Sequence, residues 1–263
     1  MKNKFLVSRM CTEKEFFTPE YNFWCEKIKE PPRTHRKQDE FVMICQALRE
    51  LGMLQEGKEG LGFAIGEEPL PALFASLGCN ILATDLPLDD KRSKAWHETR
   101  QTCTIASLNS RGICPPDEFE QRVKYRPVDM NDMPDDLGLY DFCWSACSLE
   151  HLGSLEKGKQ HLDNIRKFIK PGGSIVVTFE YNLSSDNLTV ATGDTVLFRK
   201  KDVINMIERA REGGFKTHGV SWEKGEGFLD NHVDVPPYSG DNHIKLQIGQ
   251  YVCTSFILIL SRI

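Results

Sequence analysis

Gly60-Leu61-Gly62-Phe63-Ala64-Ile65-Gly66 runs directly into Glu67-Glu68-Pro69. The first seven residues read as a short apolar strand ending in a glycine-rich turn. The turn opens a helix over 70–77 that Gly78 stops. A second apolar run, 80–84, ends at Asp85, 19 residues past Gly66. Glycine turn, helix, strand and acid in this order form a βαβ unit whose acid would hold a ribose hydroxyl. Without a ligand, the glycines would serve a tight turn and Asp85 would cap a helix.

The alternation continues outward. Strands are expected over 122–128, 140–146, 174–179 and 215–221, with a long apolar strand over 251–260. Residues 91–120 read as a helix and an irregular polar segment. In the helix over 155–169, Leu155, Leu162, Ile165, Phe168 and Ile169 share a face before Pro171-Gly172-Gly173; a further helix, 201–211, ends at Gly213-Gly214. The pattern predicts an α/β three-layer sandwich around a seven-stranded, mostly parallel sheet. The last strand should run antiparallel, because 222–249 contain no helix to carry a parallel crossover. Residues 1–56, with one strong helical stretch at 38–51, should form a helical extension capping the substrate. Residues 57–263 should form the cofactor-binding domain, with 222–249 inserted as a lid.

Composition narrows the function. The 263-residue chain is 40% hydrophobic and 27% charged, as in a soluble globular protein, and its net charge of -5 offers no basic footprint for nucleic acid. The nine cysteines are scattered without a C-x-x-C pair and suit buried, reduced thiols. No segment suits a signal peptide or a membrane span. The expectation is a cytoplasmic protein with a small-molecule partner and no nucleic acid; a homodimer is compatible.

Ligands of an open α/β sheet bind beyond the carboxyl ends of its strands. The candidate cofactor residues are therefore Gly62, Ala64, Gly66 and Glu67, then Asp85 and Leu86, then Asp129 and Met130, and lastly Ser145. The dinucleotide fingerprint fails, since its third glycine is one position late. Glu67 and Glu68 also stand where a pyrophosphate would sit. A phosphate-free cationic cofactor is compatible, and S-adenosylmethionine carries a sulfonium and an ammonium.

Over about 57–221 the sequence resembles the class I S-adenosylmethionine-dependent methyltransferases. GLGFAIG, ATDLP, VDMNDMP, YDFCWSACSLEHL and IKPGGSIVVTF correspond to successive strand-end motifs. The resemblance implies that Gly62, Ala64 and Gly66 line the methionine end, Asp85 holds the ribose, and Asp129 with Met130 brackets the adenine. The family's acid two residues before the first motif glycine is Gly60 here. That leaves Glu59 or Glu67 to meet the methionine ammonium.

Beyond the fourth strand, Glu150-His151 falls where a transferable methyl would point, and a histidine there suits a general base or merely packs. Glu180 ends the fifth strand, and Asn182 follows in a polar run that would read hydroxyls or form a surface loop. The segment is also similar to ubiquinone-biosynthesis methyltransferases, whose E-x-x-E-H holds a divalent metal. Cys147 replaces the first acid, so no metal is expected, with Glu150, His151 and Glu180 as the alternative ligand set. EPLPALFA, SLEHLGS, EYNLSS, TVLFRKKD and HVDVPPY are similar to bacterial methyltransferases found with polysaccharide or glycosyltransferase genes. That resemblance implies a sugar or glycan hydroxyl as acceptor, with His35, Arg36 and Lys37 meeting an anionic part of it or forming a solvated charge run; His232 and His243 are binding candidates by their place in the lid insertion. The rival readings are an N-methyltransferase or one acting on a phosphate-linked acceptor, a non-catalytic subunit of the same fold, and a nicotinamide dehydrogenase.

Overall fold

Ten strands and six α-helices follow the chain in a computed structural model that describes residues 6–87, Asp90, Arg92 and 104–263. The strands are β1 (Arg9–Met10), β2 (Glu59–Gly62), β3 (Asn80–Asp85), β4 (Val123–Pro127), β5 (Tyr140–Ala146), β6 (Ile169–Asn182), β7 (Phe215–Thr217), β8 (Val233–Asp234), β9 (Lys245–Ile248) and β10 (Tyr251–Arg262). The helices are α1 (Pro19–Lys27), α2 (Arg36–Glu50), α3 (Leu70–Ser76), α4 (Pro116–Arg122), α5 (Leu155–Ile165) and α6 (Lys200–Glu212).

β4-β3-β2-β5-β6 are parallel neighbours, and β10 lies antiparallel beside β6, as the missing crossover helix predicts. The expected count of seven strands is corrected to ten among the described residues. The reason is the length of β10. Its outer edge takes β9 at Tyr251–Cys253, β1 at Phe256–Ile257 and β7 at Leu260–Arg262, each antiparallel. Residues 222–249 are thereby drawn into the sheet through β8 and β9 rather than standing apart from it. Of the helix and irregular segment expected in 91–120, residues 91 and 93–103 lie outside the described residues, and α4 forms where the irregular part was expected to end.

Helices cover both faces. Val42, Ile44, Cys45 and Leu48 of α2 share one apolar cluster with Phe74 of α3, Trp144 of β5 and Ile257 of β10. Leu162 and Ile165 of α5 and Met206 and Ala210 of α6 pack with Val177 and Leu258 on the other face. α2 is therefore part of the same core as the sheet, and its first turn is carried to the strand ends that face the cleft. The described cysteines are buried and form no disulfide. No helix among the described residues is long and apolar enough to cross a membrane.

Candidate functional site

The chain leaves β2 through two left-handed residues, Ala64 and Gly66, both at φ +48°. Glycine takes this conformation without cost, and alanine is among the smaller side chains that can be held there. Thr84 Oγ1 donates to the Gly62 carbonyl at 2.8 Å. Asp85 accepts from the Gly66 N–H at 3.1 Å and from the Leu86 N–H at 2.7 Å, so its carboxylate ties the glycine loop to the end of β3.

A cleft of about 640 Å³ opens over these strand ends. One half is lined by Ala64, Gly66, Glu67, Glu68, Asp85, Leu86, Asp129 and Met130. Asp129 is held by Arg92 at 2.7 Å and by the Asn131 N–H at 2.9 Å, and the Met130 carbonyl bonds to His161. The other half is lined by Arg36, Lys37, Glu40, Cys147, His151, Glu180, Thr195 and Tyr238.

Gly62 and Ser145 are not among the cleft-lining residues. Gly62 faces Trp144 instead, where an added Cβ would lie 2.4 Å from Cζ2. Ser145 donates to the Phe63 carbonyl at 3.0 Å and bonds to Ser148. Glu59 begins β2 at the opposite end of the strand, 2.6 Å from Lys170. Glu67 is exposed at the cleft, whereas Glu68 is buried, with Oε1 accepting from Trp144 Nε1 at 2.6 Å.

The floor of the second half is a buried ionic network. Arg36 Nη1 reaches Ser255 Oγ at 2.9 Å and Glu40 Oε1 at 3.2 Å, and its other nitrogen pairs with Glu180. Burial works against the Arg36 charge, but the facing carboxylates, Glu180 foremost, raise its pKa. Burial likewise opposes the Glu40 charge, and Lys37 with Arg36 holds it below the usual carboxylate range. Burial pushes Glu180 up to about 7 against the pull of Arg36, and Glu150 adds to the rise.

Glu150 is fully buried, and neither oxygen has a hydrogen-bond partner among the described residues. Donor atoms of Cys147, Glu150 and Glu180 lie within 4.8 Å of one another, so Cys147 takes the place of His151 in the cluster that could ligate a metal. The Arg36 guanidinium already neutralises Glu180 in that cluster. Cys147 sits at φ +52°, its N–H held 3.0 Å from both the carbonyl and the hydroxyl oxygen of Thr178.

His151 does line the cleft, with Nδ1 2.8 Å from the Asp194 carbonyl. A carbonyl can only accept, so Nδ1 carries the hydrogen and the neutral ring keeps its basic lone pair on Nε2. Of the remaining substrate-binding candidates, only Arg36 lines the cleft. His35 caps α2 and stacks on His243 at 4.7 Å, and His243 bonds to Asp234 at 2.6 Å. Burial, with His243 beside it, lowers the His35 pKa to about 4. His232 is exposed. Asn182 is spent on its own loop, donating to Leu188 and Thr189 and accepting from Ser184 and Ser185. The sequence reading missed Glu40 as a cleft residue, and it placed Glu68 at the helix start and Tyr238 in the lid without giving either a binding role. HVDVPPY did mark the Tyr238 segment, while nothing local marks Glu40 beyond its place one turn after Arg36.

No protein-family model matches the chain, and no curated protein matches its sequence. Solved structures do match. TehB from Haemophilus influenzae is 15% identical, with 92% of this chain and 66% of that one covered at a TM-score of 0.53. Magnesium protoporphyrin IX methyltransferase from Synechocystis PCC 6803, solved with bound S-adenosylhomocysteine, is 11% identical, with coverage of 95% and 97% at a TM-score of 0.50. A sarcosine dimethylglycine methyltransferase assigned in Galdieria sulphuraria is 16% identical; the chain spans 60% of its length, with 68% of this chain covered, at a TM-score of 0.48. The chain therefore has the fold of the S-adenosylmethionine-dependent methyltransferases.

Proposed function

We propose that the protein is an S-adenosylmethionine-dependent methyltransferase acting on a hydroxyl of a small molecule, a sugar or glycan. The observation that carries the reading is the single cleft over successive strand ends. There, Asp85 ties down a glycine loop flanked by acids, and His151 lines the same cleft. The residues fit the cofactor chemically. Ala64 and Gly66 leave room for close approach, the acids disfavour a pyrophosphate, and Asp85 and Asp129 are acceptors for hydroxyl and amine donors.

S-adenosylmethionine supplies a methyl group on a sulfonium, which leaves as a neutral thioether. The cleft's task is to align the acceptor oxygen with that methyl, since positioning supplies much of the rate. His151 Nε2 takes the hydroxyl proton as the new C–O bond forms. Tyr238, Leu246 and Ile248 give the acceptor half an apolar wall against which a sugar ring can rest. Calorimetry with S-adenosylmethionine and S-adenosylhomocysteine tests the reading, with NAD as the contrast; binding of neither sulfur compound refutes it.

An amine acceptor is the second reading, favoured by Glu180 and Glu40 in the acceptor half. His151→Ala separates the two. An alcohol acceptor needs the base and should lose turnover, whereas a neutral amine should lose little.

A further inference from the structure

The acid absent at position 60 is excluded by packing. A Cβ there would lie 2.4 Å from the Phe142 ring and 2.9 Å from Ile81 Cδ1, inside the sheet's apolar surface. Glu68 supplies a carboxylate at the same mouth by another route. Gly62 pairs in register with Trp144 across β2 and β5, and its missing side chain leaves room for the indole. The indole N–H then fixes Glu68 Oε1 at 2.6 Å, with Glu68 only 7% exposed and lining the cleft. Gly62, Trp144 and Glu68 thus act together to hold one carboxylate at the glycine loop.

A carboxylate so placed has one neutral donor to offset its charge. Burial pushes Glu68 up to about 8, Asp85 and Glu40 add to the rise, and the Trp144 bond and Lys37 oppose it. The groups that face it are therefore Asp85 from β3, Glu40, Lys37 and Cys45 from α2, and its neighbour Glu67. Lys37 lines the same cleft, and its nearest carboxylate, Glu40, is 3.6 Å away, longer than a hydrogen bond.

We propose that Glu68 and Lys37 are the two poles of a subsite for an α-amino-acid zwitterion. Glu68 takes the ammonium and Lys37 the carboxylate of the cofactor's amino-acid end. The inference rests on the cofactor reading above. It adds that binding is coupled to a proton: the ligand's ammonium stabilises the Glu68 carboxylate, whose proton passes to solvent. Affinity should then rise with pH through the range in which free Glu68 loses its proton, and level off above about 8.

Calorimetry on the full chain at pH 7, in two buffers of different ionisation enthalpy, tests this with two ligands. S-adenosylhomocysteine carries the amino-acid end; methylthioadenosine has the same nucleoside and sulfur without it. S-adenosylhomocysteine should release a proton at pH 7, because burial raises Glu68 in the free chain, and methylthioadenosine none. Glu68→Gln keeps an acceptor for Trp144, so the fold should survive, as a thermal melt would confirm. That variant should bind S-adenosylhomocysteine at least about tenfold more weakly, abolish the proton release, and leave methylthioadenosine within about twofold. Lys37→Met should weaken S-adenosylhomocysteine alone while the proton release persists. Unchanged affinity for S-adenosylhomocysteine in either variant overturns that residue's assignment, as does an equal loss for both ligands. If the unaltered chain binds neither ligand, the cofactor reading fails and the subsite with it. If it binds both but releases no proton, only the coupling claim fails.

Discussion

Gly62→Ala tests whether the second glycine of the loop serves packing or ligand. The added methyl would sit 2.4 Å from Trp144 Cζ2, 2.7 Å from Cη2 and 2.8 Å from Ile65 Cγ2. Carbon atoms rest about 3.5–4.0 Å apart, so the ring must retreat by about 1 Å or more. It has little space to do so, being fully buried with Phe74 edge-on at 5.0 Å and Phe142 at 5.9 Å. Overpacking of this kind costs about 1–3 kcal/mol. Displacing the indole from Glu68 adds about 1 kcal/mol for the lost hydrogen bond. The sum, about 2–4 kcal/mol, corresponds to a fall in Tm of about 4–7 °C for a chain of this size. Urea unfolding would measure the cost in the native background and again with Trp144→Leu, where the ring is gone. In the second background the alanine should cost less than about 1 kcal/mol, a coupling of about 2 kcal/mol. Equal costs in the two backgrounds would refute the packing account. Loss of S-adenosylhomocysteine affinity at unchanged stability would do so from the other side, by returning Gly62 to the ligand.

His151→Ala should lower turnover on a hydroxyl acceptor by about 10²–10⁴ with S-adenosylhomocysteine affinity unchanged; near-native turnover would remove the base assignment. Asp85→Ala orphans the Gly66 and Leu86 N–H groups, and should cost about 1–3 kcal/mol in urea unfolding together with cofactor affinity. Stability intact alongside normal binding would contradict that role. Burial raises Asp39 to about 7, so the folded state holds a proton that the unfolded chain gives up near pH 4. The stability it contributes is complete below that pH and is lost as pH rises through 7. Asp39→Asn should therefore gain stability relative to the native chain at pH 8 compared with pH 5, and a pH-independent difference would count against the shift.

The parallel core was legible because β2, β3, β5 and the body of β6 are apolar runs, with glycine closing β2 and an acid closing β3. The antiparallel return of β10 followed from the missing crossover helix. β1, β8 and β9 were not legible. Segments of two to four residues carry no usable periodicity, and their strand character comes from the long edge that β10 offers. In the site, Asp85 and the glycine-rich turn could be read from spacing. The pairing of Gly62 with Trp144 depends on register between strands 82 positions apart in sequence, which no local pattern encodes. Glu67 and Glu68 look alike in sequence, yet one faces solvent and the other an indole N–H. Asn182 looked chemical as a polar residue past a strand end, His35 as part of a basic run before a helix and His243 as part of the lid; Asn182 bonds within its own loop, and the two histidines stack on each other across 208 positions.

The composite edge of β10 also sets an order of events for a chain made from its N-terminus. Arg9 and Met10 pair with Ile257 and Phe256, so the first of these segments waits for a partner made far later in the chain. The Arg36 network waits as well, because Ser255 is among its partners. The glycine loop and Asp85, by contrast, need only β2 to β5. During synthesis the two halves of the cleft therefore mature at different times. The half floored by the Arg36 network is completed last, so a chain arrested before β10 would hold the loop without that network.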